Sequence, residues 1–112
     1  MAESQDIREQ RAADALAAIG NRTRLRIFKV LVRAGDEGVN VGSIQKALGV
    51  PPTTLAHHLA ALTSAGLVIQ ERRGREALCT TNYKELRAVL AYVMSECCLG
   101  NADSDECKTD AA

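Results

Sequence analysis

The stretch VGSIQKALGVPPTTLAHHLAALTSAGLVIQERRGREALCT, residues 41–80, decides the fold. Its first eight residues, ending in Leu48, read as a short helix closed by Gly49, a residue type that readily ends helices. Pro51-Pro52 then opens another helix, because a proline at the first helical position gives up only an amide that would be unpaired anyway. Leu55, Leu59 and Leu62 recur at helical steps and form the inner face of this second helix, which ends at Ala65-Gly66. The pattern then changes. Residues 67–72 and 75–80 are β-compatible runs on either side of Arg73-Gly74, the signature of a hairpin. Two short helices across the tight Leu48-Gly49-Val50-Pro51 connection, followed by a hairpin, make a winged helix-turn-helix.

Toward the N-terminus, Ile7, Arg11, Asp14, Leu16, Ala18 and Ile19 belong to an alanine-rich helical stretch ended by Gly20-Asn21. From Thr23, the residues Leu25, Ile27, Phe28, Leu31 and Val32 recur at three- and four-residue steps, an amphipathic helix stopped by Gly35. A polar turn, Asp36-Glu37-Gly38, leads into the central stretch. After the hairpin, residues 83–98 form a long final helix with Leu86, Val89, Leu90, Val93 and Met94 as its apolar stripe. The expected fold is mainly α with a small β-hairpin, in the order helix-helix-helix-helix-hairpin-helix. Residues 1–99 form one domain, and residues 100–112 are an acidic tail.

A chain of 112 residues with no Trp and one Phe suits one modest aliphatic core and argues against a β-sandwich. The net charge is zero, but its distribution is uneven. Residues 1–75 hold eleven Lys and Arg against seven Asp and Glu, while residues 76–112 hold three against seven. A basic front with an acidic back fits a protein that meets phosphate on one side. The start of the chain has no apolar run behind basic residues, and no stretch approaches the ~20 apolar residues of a membrane span. The expected location is the cytoplasm, where four cysteines stay reduced and serve metal binding or redox sensing more naturally than a disulfide framework.

In a winged helix-turn-helix the second helix enters the major groove of double-stranded DNA. Its outward candidates near the N-terminal end are Thr53, Thr54, Ala56 and His57, which offer hydroxyls, an imidazole and a helix terminus to phosphates or bases. Arg72, Arg73 and Arg75 surround the hairpin tip and either reach a phosphate or the minor groove or form a solvated turn. His57 and His58 point about 100° apart on a helix, so they do not share a face. His57 is read as DNA-facing and His58 as partly buried and structural. No cysteine sits at a helix start beside a base, which disfavours an enzyme.

The segments Asn21-Arg22-Thr23-Arg24-Leu25-Arg26-Ile27, Leu48-Gly49-Val50, His57-His58-Leu59 and Ala65-Gly66-Leu67-Val68 resemble the arsenical-resistance repressor family (ArsR/SmtB) over roughly residues 12–95. The resemblance implies a homodimer joined through the first and last helices, which represses an operon until an inducer binds. The family's Cys-Val-Cys arsenite motif is missing, since Val39-Asn40-Val41-Gly42-Ser43-Ile44 contains no cysteine. The family's zinc site on the last helix is missing too, because that helix has no histidine.

Cys97, Cys98 and Cys107 are the remaining ligand candidates. Thiolates select soft ions, and three of them match the pyramidal preference of trivalent arsenic. Gly100 and Asn101 permit a chain reversal, and eight residues between Cys98 and Cys107 suffice to fold back. The arrangement also resembles a subgroup of arsenite-responsive repressors with a Cys-Cys pair and a third cysteine after the last helix, although there the third thiol lies closer. As(III) is the expected inducer, with Sb(III) and organoarsenicals in the same class, and no organic cofactor is expected. A redox or persulfide switch in the same fold is the alternative, and incidental tail thiols are the bland reading. Cys79, on the second hairpin strand, reads as a small buried hydrophobe.

Overall fold

Local chemistry sets the helix ends. The computed structural model describes the backbone of residues 5–100 and the side chains of residues 6–95. Helices α1 (Gln5–Ile19) and α2 (Arg22–Ala34) meet at Gly20-Asn21, where the Asn21 side chain accepts from the Arg24 backbone N–H at 3.1 Å and caps α2. A 3-10 turn (Gly35–Glu37) leads to β1 (Val39–Asn40), and Asn40 caps α3 (Val41–Leu48) by accepting from the Ser43 N–H at 2.8 Å. Helix α4 (Pro52–Ser64) starts behind Pro51, whose carbonyl accepts from the Leu55 N–H at 2.9 Å. It ends in a Schellman pattern, with Leu67 N–H donating to the Leu62 carbonyl and Gly66 N–H to that of Thr63.

The remaining elements are β2 (Val68–Arg73), β3 (Glu76–Thr81) and α5 (Tyr83–Gly100). The mainly helical winged helix-turn-helix and its element order are as expected, with one addition. The hairpin belongs to a three-stranded antiparallel sheet of order β1-β3-β2, in which Val39 pairs with Cys79 and Asn40 with Leu78. Two residues are too few to show an alternating pattern, so β1 has no sequence signal of its own. Gly38 makes the pairing possible, because a Cβ there would stand 2.9 Å from Thr80 Cγ2 and 3.0 Å from the Cys79 carbonyl oxygen.

Two boundaries also shift. The hairpin turn is Gly74-Arg75 rather than Arg73-Gly74, and Arg73 pairs across the strands with Glu76. Gly74 has φ of 63° and no non-glycine residue described has positive φ, which is the demand of a type II′ turn on its first central position. The last helix runs through Gly100, beyond the expected end at residue 98.

The core lies where α2, α3 and α4 pack on one another and on the sheet, with α1 against α2 and α4 and α5 laid chiefly on α1. Ile27, Phe28, Leu31, Ile44, Leu55, Leu59, Leu62 and Leu67 are all buried in it. Each large aliphatic side chain buried this way contributes about 1.5–3 kcal/mol. Helix α1 buries Ala12, Ala15 and Ala18, small residues that let it lie close against its neighbours, including α5, and Ile19 at its end packs partly buried against the core. Asn82 fastens the far end: its N–H donates to the Leu67 carbonyl, its side-chain amide to the Gly66 carbonyl at 2.9 Å, and its side-chain oxygen accepts from the Glu85 N–H.

Candidate nucleic-acid interface and thiol cluster

Burial of Leu55, Leu59 and Leu62 fixes the rotation of α4, and the opposite face is thereby turned outward. Thr53, Thr54, Ala56 and His57 are all exposed there, as the spacing predicts. The helix contains no Lys, Arg, Asp or Glu, so any charge for phosphate must come from neighbouring elements.

The wing carries three cations. Arg72, Arg73 and Arg75 are exposed at the tip of the hairpin. Arg73 Nε stands 3.4 Å from Glu71 Oε1, an ion pair open to solvent and so worth little. The guanidinium groups of Arg72 and Arg75 have no ion-pair partner among the described residues. Gln70 Nε2 donates to Thr63 Oγ1 at 3.2 Å, and that hydroxyl in turn donates to the Leu59 carbonyl at 2.8 Å. This chain of hydrogen bonds holds the base of the wing against the recognition helix, a relation that strand and helix periodicity do not encode.

His58 is partly buried and differs from its neighbour. Its Nδ1 accepts from Arg24 Nε at 3.2 Å, which joins α2 to α4, and its ring centroid is 5.8 Å from that of His57. Burial first, then the Arg24 and His57 charges, push its pKa below the ordinary histidine value. The imidazole is therefore neutral, with its proton on Nε2. Sequence reasoning placed His58 inside but missed Arg24, because 34 residues separate the partners and no short motif spans them.

A family model for a helix-turn-helix domain matches residues 19–71. An uncharacterised helix-turn-helix-type transcriptional regulator of Methanocaldococcus jannaschii is 37% identical over 65 residues, covering 58% of this chain and 71% of that protein. The solved structure of an ArsR-like transcriptional regulator from Rhodococcus superposes with a TM-score of 0.71 at 25% identity, over 93% of this chain and 94% of the other.

The chain belongs to the ArsR family of winged-helix transcriptional regulators.

Among the family's named members, the arsenical resistance operon repressor of Halobacterium salinarum is 37% identical over 60 residues, 54% of this chain. That match spans 46% of the halobacterial protein, less than half its length. In this ArsR-family chain the helix before the recognition helix, α3, lacks cysteine altogether. Cys97 and Cys98 fall in the last turn of α5, with their side chains outside the described set, and Cys107 lies outside the described residues. Among the described residues no group of three or more His, Cys, Asp or Glu is placed to hold a metal ion. Cys79 is fully buried on the central strand, and burial pushes its thiol pKa up, so at neutral pH it is a protonated thiol rather than a ligand.

The first and last helices leave large apolar side chains exposed. Ile7 and Leu16 of α1 and Leu90 and Val93 of α5 are each about half exposed, large apolar side chains on the two helices that pack against each other. Beside them Arg11 donates to Glu85, tying α1 to α5. No helix among the described residues is long and apolar enough to cross a membrane.

Proposed function

We propose that this chain is a homodimeric repressor that reads operator DNA with α4 and the wing and releases it when Cys97, Cys98 and Cys107 capture trivalent arsenic. The observation that carries the DNA half is the outward face of α4, with Thr53, Thr54, Ala56 and His57 exposed beside an arginine-tipped wing tied to the same helix. The apolar faces of α1 and α5 support dimerisation, which would set two recognition helices at a fixed spacing.

The arsenic half rests on donor chemistry. Three thiols, and no competing soft site in α3, suit a thiophilic ion. The name of the halobacterial relative points the same way. Each thiol gives up a proton as its sulfur replaces a hydroxyl on As(OH)3, and three water molecules leave. Consecutive helical residues project about 100° apart, so use of Cys97 and Cys98 together requires the last turn of α5 to open. That opening would disturb the end of a dimer helix and so the spacing of the recognition helices. A coupling of about 1–3 kcal/mol changes operator affinity by ~5–150-fold.

Fluorescence anisotropy of the reduced protein on its own promoter DNA, titrated with arsenite, zinc, cadmium and a mild oxidant, tests both halves. Release by arsenite, lost in Cys97→Ser, Cys98→Ser and Cys107→Ser, is the expected result. Release by the oxidant alone would instead assign the thiols to a redox switch. Absence of DNA binding would remove the repressor reading.

A further inference from the structure

The hydrogen bond between α2 and the recognition helix leaves most of one side chain unused. A guanidinium has five N–H donors in a rigid planar fork. Arg24 spends one of them, on Nε, toward His58 Nδ1. No carboxylate pairs with Arg24 among the described residues, and the side chain is only partly exposed. The Nη groups of Arg24 have no protein acceptor among the described residues, so they are available to an anion.

The position of this cation matters. Arg24 touches His58, the immediate neighbour of the exposed His57, on a helix that has no Lys or Arg of its own. It is therefore a positive charge delivered directly to the recognition helix by another element. His58 acts as the holder, because only the neutral ring with its proton on Nε2 can accept at Nδ1. Fixing the guanidinium through Nε removes rotamer freedom before any ligand arrives, and preorganisation of this kind favours binding.

We propose that Arg24 is a phosphate-binding residue of the DNA interface, held by His58 so that its Nη edge meets a backbone phosphodiester beside the groove entered by α4. The inference rests on the DNA-binding reading above. It adds a contact from the first turn of α2, outside both the recognition helix and the wing.

The test uses the full chain, its own promoter duplex and a random duplex, with melting temperatures taken for every variant. Arg24→Gln should weaken both duplexes by a similar factor, on the order of tenfold, and reduce the salt slope by about one. Arg24→Lys should keep the salt slope but lose part of the affinity, since an ammonium cannot donate to His58 and phosphate as a planar fork does. His58→Leu should weaken binding with the slope retained, and His58→Gln, which keeps an acceptor, should restore much of it.

Acidification gives an independent readout. Arg24 from α2 and His57 on α4 are the charged or titratable groups that act on His58, with none from α1 or β2 among the described residues. Protonating His58 removes the acceptor, so wild-type affinity should fall relative to His58→Gln only as the pH passes below the ordinary histidine range, through the lowered pKa of the buried ring. If Arg24→Gln lowers the melting temperature but leaves the salt slope unchanged, Arg24 is only a tie between helices and the proposal fails. If it weakens the promoter and spares the random duplex, Arg24 reads a base and the phosphate assignment fails. A wild-type chain that binds neither duplex removes the parent reading together with this one.

Discussion

Cys79 and His58 show how burial assigns chemistry to single residues. Cys79 stands opposite Val39 and Gln70 in the middle of the sheet, with no exposed surface. It should resist alkylation in the native protein and react after denaturation, as thiol counting by mass spectrometry would show. Cys79→Ser places a hydroxyl in the same apolar site and should cost about 1–3 kcal/mol, read as a lower urea midpoint. For His58 the sign is set by the lowered folded pKa. The unfolded chain takes the proton first, near pH 6.5. The stability that neutral His58 contributes is therefore fully present above that pH and is lost as the pH falls through the folded pKa. Urea midpoints from pH 7.5 down to 5 should decline, and less so in His58→Gln. At Gly38, φ of 79° and the contact with β3 leave no room for a methyl group. Gly38→Ala should lower the melting temperature, through loss of the β1–β3 pairing and backbone strain together.

At the scale of elements, α4 and the wing act as one unit. Leu59 is almost fully buried in the middle of α4, and Leu59→Ala should cost about 2–5 kcal/mol, through lost apolar burial and the cavity left behind together. The wing arginines should separate by their partners. Arg72→Ala and Arg75→Ala should each lower the salt dependence of DNA binding, whereas Arg73→Ala should lower it less, because the Glu71 carboxylate beside Arg73 repels the same phosphate. Nitrocellulose or anisotropy titrations over a range of salt would rank them. The recognition helix was legible in advance because proline, three leucines and a terminal glycine mark a helix by local rules alone. The third strand was not, since a two-residue pairing is specified by β3, which follows it by some forty positions in the chain.

At the scale of the whole molecule, the half-exposed Ile7, Leu16, Leu90 and Val93 predict self-association through α1 and α5. Val93→Asp combined with Leu90→Asp should shift the protein toward monomer in sedimentation velocity and weaken operator binding, because a monomer loses the second half-site. The order of helices, the hairpin, the inward leucines and the outward residues of α4 were all determined by the sequence itself. Each follows from interactions within a few positions: capping, proline and glycine conformation, and the 3.6-residue period. The tertiary structure alone decided the β1–β3 pairing, the Gln70–Thr63 link between wing and recognition helix, and the Arg24–His58 hydrogen bond. Those contacts join residues that no periodic pattern relates, and they exist only because burial of one aliphatic core brings α2, α4 and the sheet together.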